Sequence, residues 1–518
     1  MAESSRNFST ALPGSVWEFA AASEWYPTQF SLEAALSVLS GSTNCCSALG
    51  HFLDGKVASP GQAEFEASRT SYWSAQEQEI APSCIVIPTS KEDASVAVAL
   101  LNLGGQVFPE ECKFAIRSGG HSPYAGSANI ASGIVLDLQN LNQLEVSAEK
   151  STVEIGPGNR WVNVYSALEQ QGLATVGGRV ATVGVGGLVT GGGISFFSGR
   201  YGYVCDNVQN FEVVLATGEI VNANAATNSD LWRALKGGSN NFGVVTSFTL
   251  PVFEQGNIWG GQLGIDISAI DGIFLAFESF TGNPDFDPYA ALISSVGWIA
   301  SSNTWMTAHS LEYTKAVDNP PIFDGITSLG PQFFSTLKIS SLSNITTDMA
   351  ASTVASRRQL FASATYKNSA AMMSAIYEIA QEIVQNLVSV SSLIWVFSFQ
   401  PIPSIINAKA AAHGGNSLGL EESDGNLFNI LLSPTWDTEE DDELVYAQAR
   451  ELFRRMEAKA KELDVYHPYI YLNYADSWQE PIAGYGVEAK QRLQQASKKY
   501  DPNGLFQKQV PGGFKLFE

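Results

Sequence analysis

Basic residues are scarce in this chain: 29 Lys and Arg stand against 52 Asp and Glu in 518 residues, a formal charge of −23. Nucleic-acid binders need clustered cations to release phosphate counterions, so no nucleic-acid partner is expected. The same deficit argues against anionic membrane surfaces. Apolar runs are short as well, none approaching the roughly 18 residues of a transmembrane helix, so no membrane partner is expected. Histidine is rare: His51, His121, His309, His413 and His467 are scattered singly, without a second His or Cys at ligand spacing. No metal site is expected from such a pattern. A strict G-x-G-x-x-G fingerprint is missing, which counts against a Rossmann site.

Cysteine is sparse and lacks the CxxC spacing of zinc sites. Cys45 or Cys46 joined to a later cysteine would make one or two disulfides; buried free thiols are the alternative. The opening MAESSRNFSTALPG has neither the basic nor the apolar region of a signal peptide. Sequons at Asn7-Phe8-Ser9 and Asn344-Ile345-Thr346 nevertheless lean towards a secreted protein.

With 45% hydrophobic and 16% charged residues, the chain has the composition of a globular protein. Its length exceeds what one core supports, so at least two domains are expected. SCIVIP (83–88) reads as a buried strand and TSKEDASVAVALLNLGG as a helix, with Ser90 and Asp93 forming a capping-box start. Short strands FAIR, GIVLDL, LEVSA and TVEIG follow, then a helix in NRWVNVYSALEQQG. Next come a hairpin in NFEVVLATGEIV and a strand in NFGVVTSFTL. This is α+β order, not a regular βαβ repeat. The expected division is residues 1–255 (core module about 78–251), a middle domain 256–464 of antiparallel sheet under helices such as MMSAIYEIAQEIVQNLV, and a tail 465–518 returning to the first domain.

Three features bear on chemistry. Residues 177–202, GGRVATVGVGGLVTGGGISFFSGRYG, are dense in glycine, an entropic cost that packing alone does not justify. Exposed N–H groups in successive turns suit a pyrophosphate, while tight turns between strands are the plainer reading. AIRSGGHSPYAG puts His121 directly after a glycine pair, and ALKGGSNNFGVVT sets Asn240 and Asn241 between glycines before a strand. A rival lies in Gly415-Asn416-Ser417-Leu418-Gly419, a G-x-S-x-G match that would make a hydrolase with Ser417 as nucleophile. The alanine-rich stretch before it is a poor nucleophile elbow.

RSGGHS, VLDL, GGRVATVGVGGLVTGGGISFFSGRYGYVCDNV, ALKGGSNNFGVVT, YLNYAD and YDPNGLFQ occur in this order from about residue 45 onward. The sequence so resembles the berberine bridge enzyme-like FAD-linked oxidases of the vanillyl alcohol oxidase and p-cresol methylhydroxylase superfamily. HGGNSLGL and PGGFKL are similar to its fungal natural-product branch. The resemblance implies a two-domain α+β fold of that superfamily, with an FAD domain and a substrate domain whose sheet lies over the flavin. It implies FAD bound covalently to His121 through the 8α-methyl group, with the backbone of Arg117, Ser118, Gly119, Gly120, His121 and Ser122 around the pyrophosphate. A second link, from a cysteine to flavin C6, falls at Val180 here, so a single bond is expected.

By the same resemblance Val183, Gly184, Gly187, Gly191, Gly192, Gly193, Gly243 and Val245 contact the cofactor. Gln400 faces the substrate. Tyr471 and Asn473 reach the flavin, and Tyr471 or Tyr474 is the candidate base. If YLNYAD is extended, alternation puts Tyr471 and Asn473 on one face and Tyr474 on the other. The implied reaction takes hydride from an alcohol or activated C–H of a natural-product intermediate onto flavin N5, with O2 reduced to H2O2. A cyclisation coupled to it, a redox-neutral cyclase or lyase retaining FAD, and a carbohydrate oxidase are the alternatives.

Overall fold

The computed structural model describes residue 16 and residues 31–517, so the Asn7 sequon lies outside the described residues. Strands Cys84–Val86, Phe114–Arg117 and Ile134–Asp137 run parallel, with the short Val57–Ala58 added antiparallel at the edge. Apart from the facing pair Arg117 and Asp137 at their C-terminal ends, these strands are apolar, because both faces are covered. The helix Lys91–Gly104 makes the crossover, starting at the Ser90–Asp93 capping box and buried along nearly its whole length. Both disulfides join the helix Cys45–Phe52 to this unit, as Cys45–Cys112 and Cys46–Cys84. Cys205 is free and buried.

A second, antiparallel sheet runs Leu144–Val146, Thr152–Ile155, Val244–Pro251, Asn210–Val214, Ile220–Asn224. The glycine-dense segment threads from the first part of this sheet to the second.

From Ile258 to His467 the chain builds an eleven-stranded antiparallel sheet. Its two faces have different roles. In Ala290–Ile299, Leu292, Val296 and Trp298 are buried under the helices Ile270–Thr281, Ala370–Ile383 and Asp442–Glu462. Ile293, Ser295, Gly297 and Ile299 take the opposite face and look into a cavity, as strand alternation requires. The last segment returns to the first domain. There the Phe114 N–H donates to the Gln509 carbonyl (2.7 Å), and Gln507 Nε2 donates to Asn241 Oδ1 (2.9 Å). Among the described residues no helix is long and apolar enough to cross a membrane.

Candidate active site

A cavity of about 650 Å³ lies between the glycine-dense segment and the open face of the large sheet. Loop 118–122 forms part of its floor. The backbone N–H groups of Gly119, Gly120 and His121 find no acceptor among the described residues, and successive unpaired amides make a nest for an anion. A Cβ on Gly119 would stand 2.6 Å from Gly184 N; one on Gly120, where φ is +62°, would stand 2.7 Å from the Tyr72 ring. Only glycine permits this close backbone pairing. Ser118 accepts from the Gly186 N–H (3.1 Å) and donates to the Pro157 carbonyl (2.6 Å), fastening the floor. Ser122 also lines the cavity.

Arg117 is expected to contribute its backbone, and its side chain has a separate place. The guanidinium turns away from the cavity, donating to the Ser68 carbonyl (2.6 Å) and Ser71 Oγ (2.6 Å), with Asp137 at 3.4 Å and the Tyr72 ring beneath it. It is buried among partners of its own, because an unpaired guanidinium inside the protein is costly. Its contribution is to brace the loop.

His121 stacks on Trp73 with ring centroids 4.7 Å apart, and its Nε2 lies 3.3 Å from Thr182 Oγ1. Burial and the nearby Arg160 charge push its pKa down to about 3, so the imidazole is neutral at working pH. The same wall carries Val180, Val183, Gly184 and Gly187, and a Cβ on Gly187 would meet nothing within 4 Å. Gly243 and Val245 close another side.

Gly191, Gly192 and Gly193 do not line the cavity. They lie behind its wall, where a Cβ on Gly191 would stand 2.1 Å from Asn473 Oδ1 and one on Gly192 3.3 Å from the Tyr471 ring. Their small size admits the 471–474 segment to the site. That segment is not extended: Leu472–Tyr474 form a 3₁₀ turn. Residues i and i+3 eclipse in such a turn, so Tyr471 and Tyr474 share the cavity, their rings edge-to-face at 4.7 Å. The expectation that Tyr474 points away is thereby corrected.

The two tyrosines have different partners. Tyr471 Oη receives the N–H groups of Gly193 (3.0 Å) and Ile194 (3.2 Å) and Asn473 Nδ2 (3.1 Å). Burial raises its pKa above that of an ordinary phenol, and three donors occupy its lone pairs. Tyr474 Oη accepts from Arg179 Nη2 (2.9 Å) and lies 3.4 Å from Gln400 Oε1. Arg179 also donates to Gln400 Oε1. The Arg179 guanidinium thus joins the glycine segment, the large sheet and the tail. Sequence reading missed Arg179, although it is the one charged residue between positions 170 and 199.

Ser417 donates to the Arg233 carbonyl (2.9 Å) and follows the helix Lys409–Ala412, not a buried strand. His467 is 3.6 Å from Asp424 and accepts from the Tyr469 N–H. The arrangement holds no Ser–His pair there.

Residues 82–224 match the model of the FAD binding domain family. Two curated relatives are fungal FAD-dependent monooxygenases. CTB5 of Cercospora beticola is 37% identical, covering 93% of this chain and 93% of its own. The drtC protein of Aspergillus calidoustus is 38% identical, covering 95% and 92%. Among solved structures, 6-hydroxy-D-nicotine oxidase from Arthrobacter nicotinovorans superposes with a TM-score of 0.73 at 19% identity, over 90% of this chain and 98% of its own. The berberine bridge enzyme-like protein 1 of Physcomitrella patens gives 0.71 at 20%, over 91% and 99%. The floor of unpaired amides, the wall of close-packed glycines and these relatives agree: the chain is a flavin oxidoreductase that binds FAD, has the fold of the berberine bridge enzyme-like proteins, and belongs to the family of these fungal FAD-dependent monooxygenases.

Proposed function

We propose that the protein is an oxidase with FAD attached through His121 alone, acting on an alcohol or other activated C–H of a small natural-product intermediate. When bound, FAD supplies hydride acceptance at N5 and passage of the electrons to O2, giving H2O2. The observation that carries the reading is the Arg179–Tyr474–Gln400 junction, set where floor, roof and tail meet. Tyr474, in its phenolate form beside the Arg179 guanidinium, takes the proton from the substrate hydroxyl and becomes the phenol, and Arg179 faces the oxygen that gains charge. Gln400 fixes the guanidinium. Tyr471 is unsuited to that task because its oxygen is already saturated with donors, so it positions the wall with Asn473. His121, stacked on Trp73 and beside Thr182, offers a neutral imidazole to the flavin methyl group.

Acid precipitation of the yellow protein tests the attachment. Colour should stay in the pellet for the wild type and pass to the supernatant for His121→Ala. Release from the wild type would refute the covalent bond while leaving FAD in place.

The names of the fungal relatives favour a second reading, a monooxygenase. Turnover under ¹⁸O2 separates the two: label in H2O2 alone supports the oxidase, and label in the product supports oxygen insertion. Turnover that consumes no O2 would instead indicate the redox-neutral cyclase. Two disulfides, and an exposed Asn344 at a helix start, support placement in the secretory pathway. A glycosidase-sensitive mass at Asn344 would test it.

A further inference from the structure

We propose that Ser310, backed by Glu312, is a committed hydrogen-bond donor for an acceptor oxygen of the substrate. The inference deepens the oxidoreductase reading above and rests on it. Along the strand Thr304–Tyr313, Met306, Ala308 and Ser310 line the cavity. Glu312 is the next residue on that face, and it is fully buried. Its neighbours across the sheet are Gly260 and Ala291. A Cβ on Gly260 would stand 3.0 Å from the Glu312 Cγ, so glycine leaves room for the side chain.

One carboxyl oxygen of Glu312 is hydrogen-bonded to Ser310 Oγ; the other has no partner among the described residues. No cation among the described residues lies within ion-pair distance of it. A buried carboxylate so poorly supported is costly, and a neutral acid is the stable form. Burial accordingly raises the pKa to about 8, although the Ser310 hydrogen bond and, less so, the Arg179 charge oppose the shift. A neutral Glu312 has one nearby acceptor for its proton, Ser310 Oγ. Donation to that oxygen leaves the Ser310 hydrogen free to point into the cavity. Met349 Sδ, 3.8 Å away, is a weak acceptor that a ligand oxygen outcompetes.

The rest of the roof says what carries that oxygen. Gln262 is the cross-strand partner of Ser310 and lines the same spot. On the next two strands, Ser295 and Ser398 satisfy each other at 2.7 Å. Farther on, Gly297, Met306, Val396, Ile299 and Ile394 are without polar side chains. One polar end and one hydrocarbon end fit a compact apolar body bearing a ketone, quinone or ionised hydroxyl oxygen. A chain of sugars would leave its hydroxyls unpaired against the aliphatic end.

Calorimetric titration of the purified flavin-loaded protein tests this with acetophenone, which has one carbonyl acceptor, and ethylbenzene, which lacks it. Ser310→Ala should weaken acetophenone binding about fivefold, the worth of one hydrogen bond, and change ethylbenzene by less than twofold. Glu312→Gln should keep most of the acetophenone affinity, since its amide also donates to Ser310. Equal effects of Ser310→Ala on both probes, no effect on either, or a wild type that does not distinguish them would overturn the proposal. A protein that binds FAD and fails to oxidise any alcohol would refute the oxidase reading while leaving this binding difference measurable.

Discussion

The cleanest division of labour at the residue scale is between Tyr471 and Tyr474. They are three positions apart, and partners alone separate them: three N–H donors on one oxygen, a guanidinium and a distant amide oxygen on the other. General-base catalysis is worth roughly 10² to 10⁴ in rate. Tyr474→Phe should therefore lower kcat by about that range with flavin colour retained. Tyr471→Phe should instead lower Tm and flavin retention, because the Gly193 and Ile194 amides lose a buried acceptor. Single-turnover reduction of the flavin beside a thermal melt reads both. A kcat loss confined to Tyr471→Phe would exchange the roles.

Glu312 adds a pH signature at the same scale. Its folded pKa of about 8 lies above the ordinary carboxyl value of 4.5. The acid is neutral below about 8 and ionised above it, and once ionised it accepts from the Ser310 hydroxyl and withdraws that donor from the cavity. Arg179 is the charge facing it; Gly260 and Ala291 on the flanking strands carry no titratable group. Acetophenone affinity should thus fall as pH rises through about 8 in the wild type and stay level in Glu312→Gln. The same raised pKa makes the native state bind a proton that the unfolded chain has lost between about 4.5 and 8, so this group lowers stability as pH rises across that window.

Elements show what the sequence displayed and what it hid. The helix Lys91–Gly104, its Ser90 cap, the parallel apolar strands and the Thr217–Gly218 hairpin turn were all legible, because local periodicity and capping chemistry dictate them. The 3₁₀ turn at Leu472–Tyr474 was not. A four-residue segment carries too little periodicity to separate turn from strand, and tertiary contacts with Gly191–Gly193 decide it. Arg179 was hidden for a related reason: its partners, Gln400 and Tyr474, lie 221 and 295 residues away in the chain. Likewise Arg117 sits in the expected motif, but its side-chain direction depends on Ser68 and Ser71 in another helix and turn. Val180 lines the cavity at the position where the family resemblance places a cysteine. If the glycine segment faces the flavin as inferred, Val180→Cys in a His121→Ala background should restore colour to the acid pellet. Colour left in the supernatant would place position 180 away from the flavin ring.

For the whole molecule, the FAD domain is closed by the far end of the chain. Asn241 Nδ2 donates to the Phe514 carbonyl (2.9 Å), Asn240 Nδ2 to the Gly512 carbonyl (3.1 Å), and Gln494 Nε2 to the Leu516 carbonyl (2.8 Å). Gly513 and Phe514 themselves line the cavity, with Phe514 packed at 5.9 Å on Tyr124 beyond the His121 loop. The tail is thus a wall of the cavity rather than an appendage. Its removal exposes the side of the cavity that Asn240 shares, while the disulfides and both sheets of the domain stay intact. Deletion of residues 512–518 should therefore give a protein with unchanged far-ultraviolet circular dichroism that loads markedly less FAD during expression, read as the flavin-to-protein absorbance ratio. A truncated protein with the full flavin ratio would show that the floor and the glycine wall hold the cofactor unaided. Such a result would reduce the tail's part to bringing Tyr471, Asn473 and Tyr474 into the site.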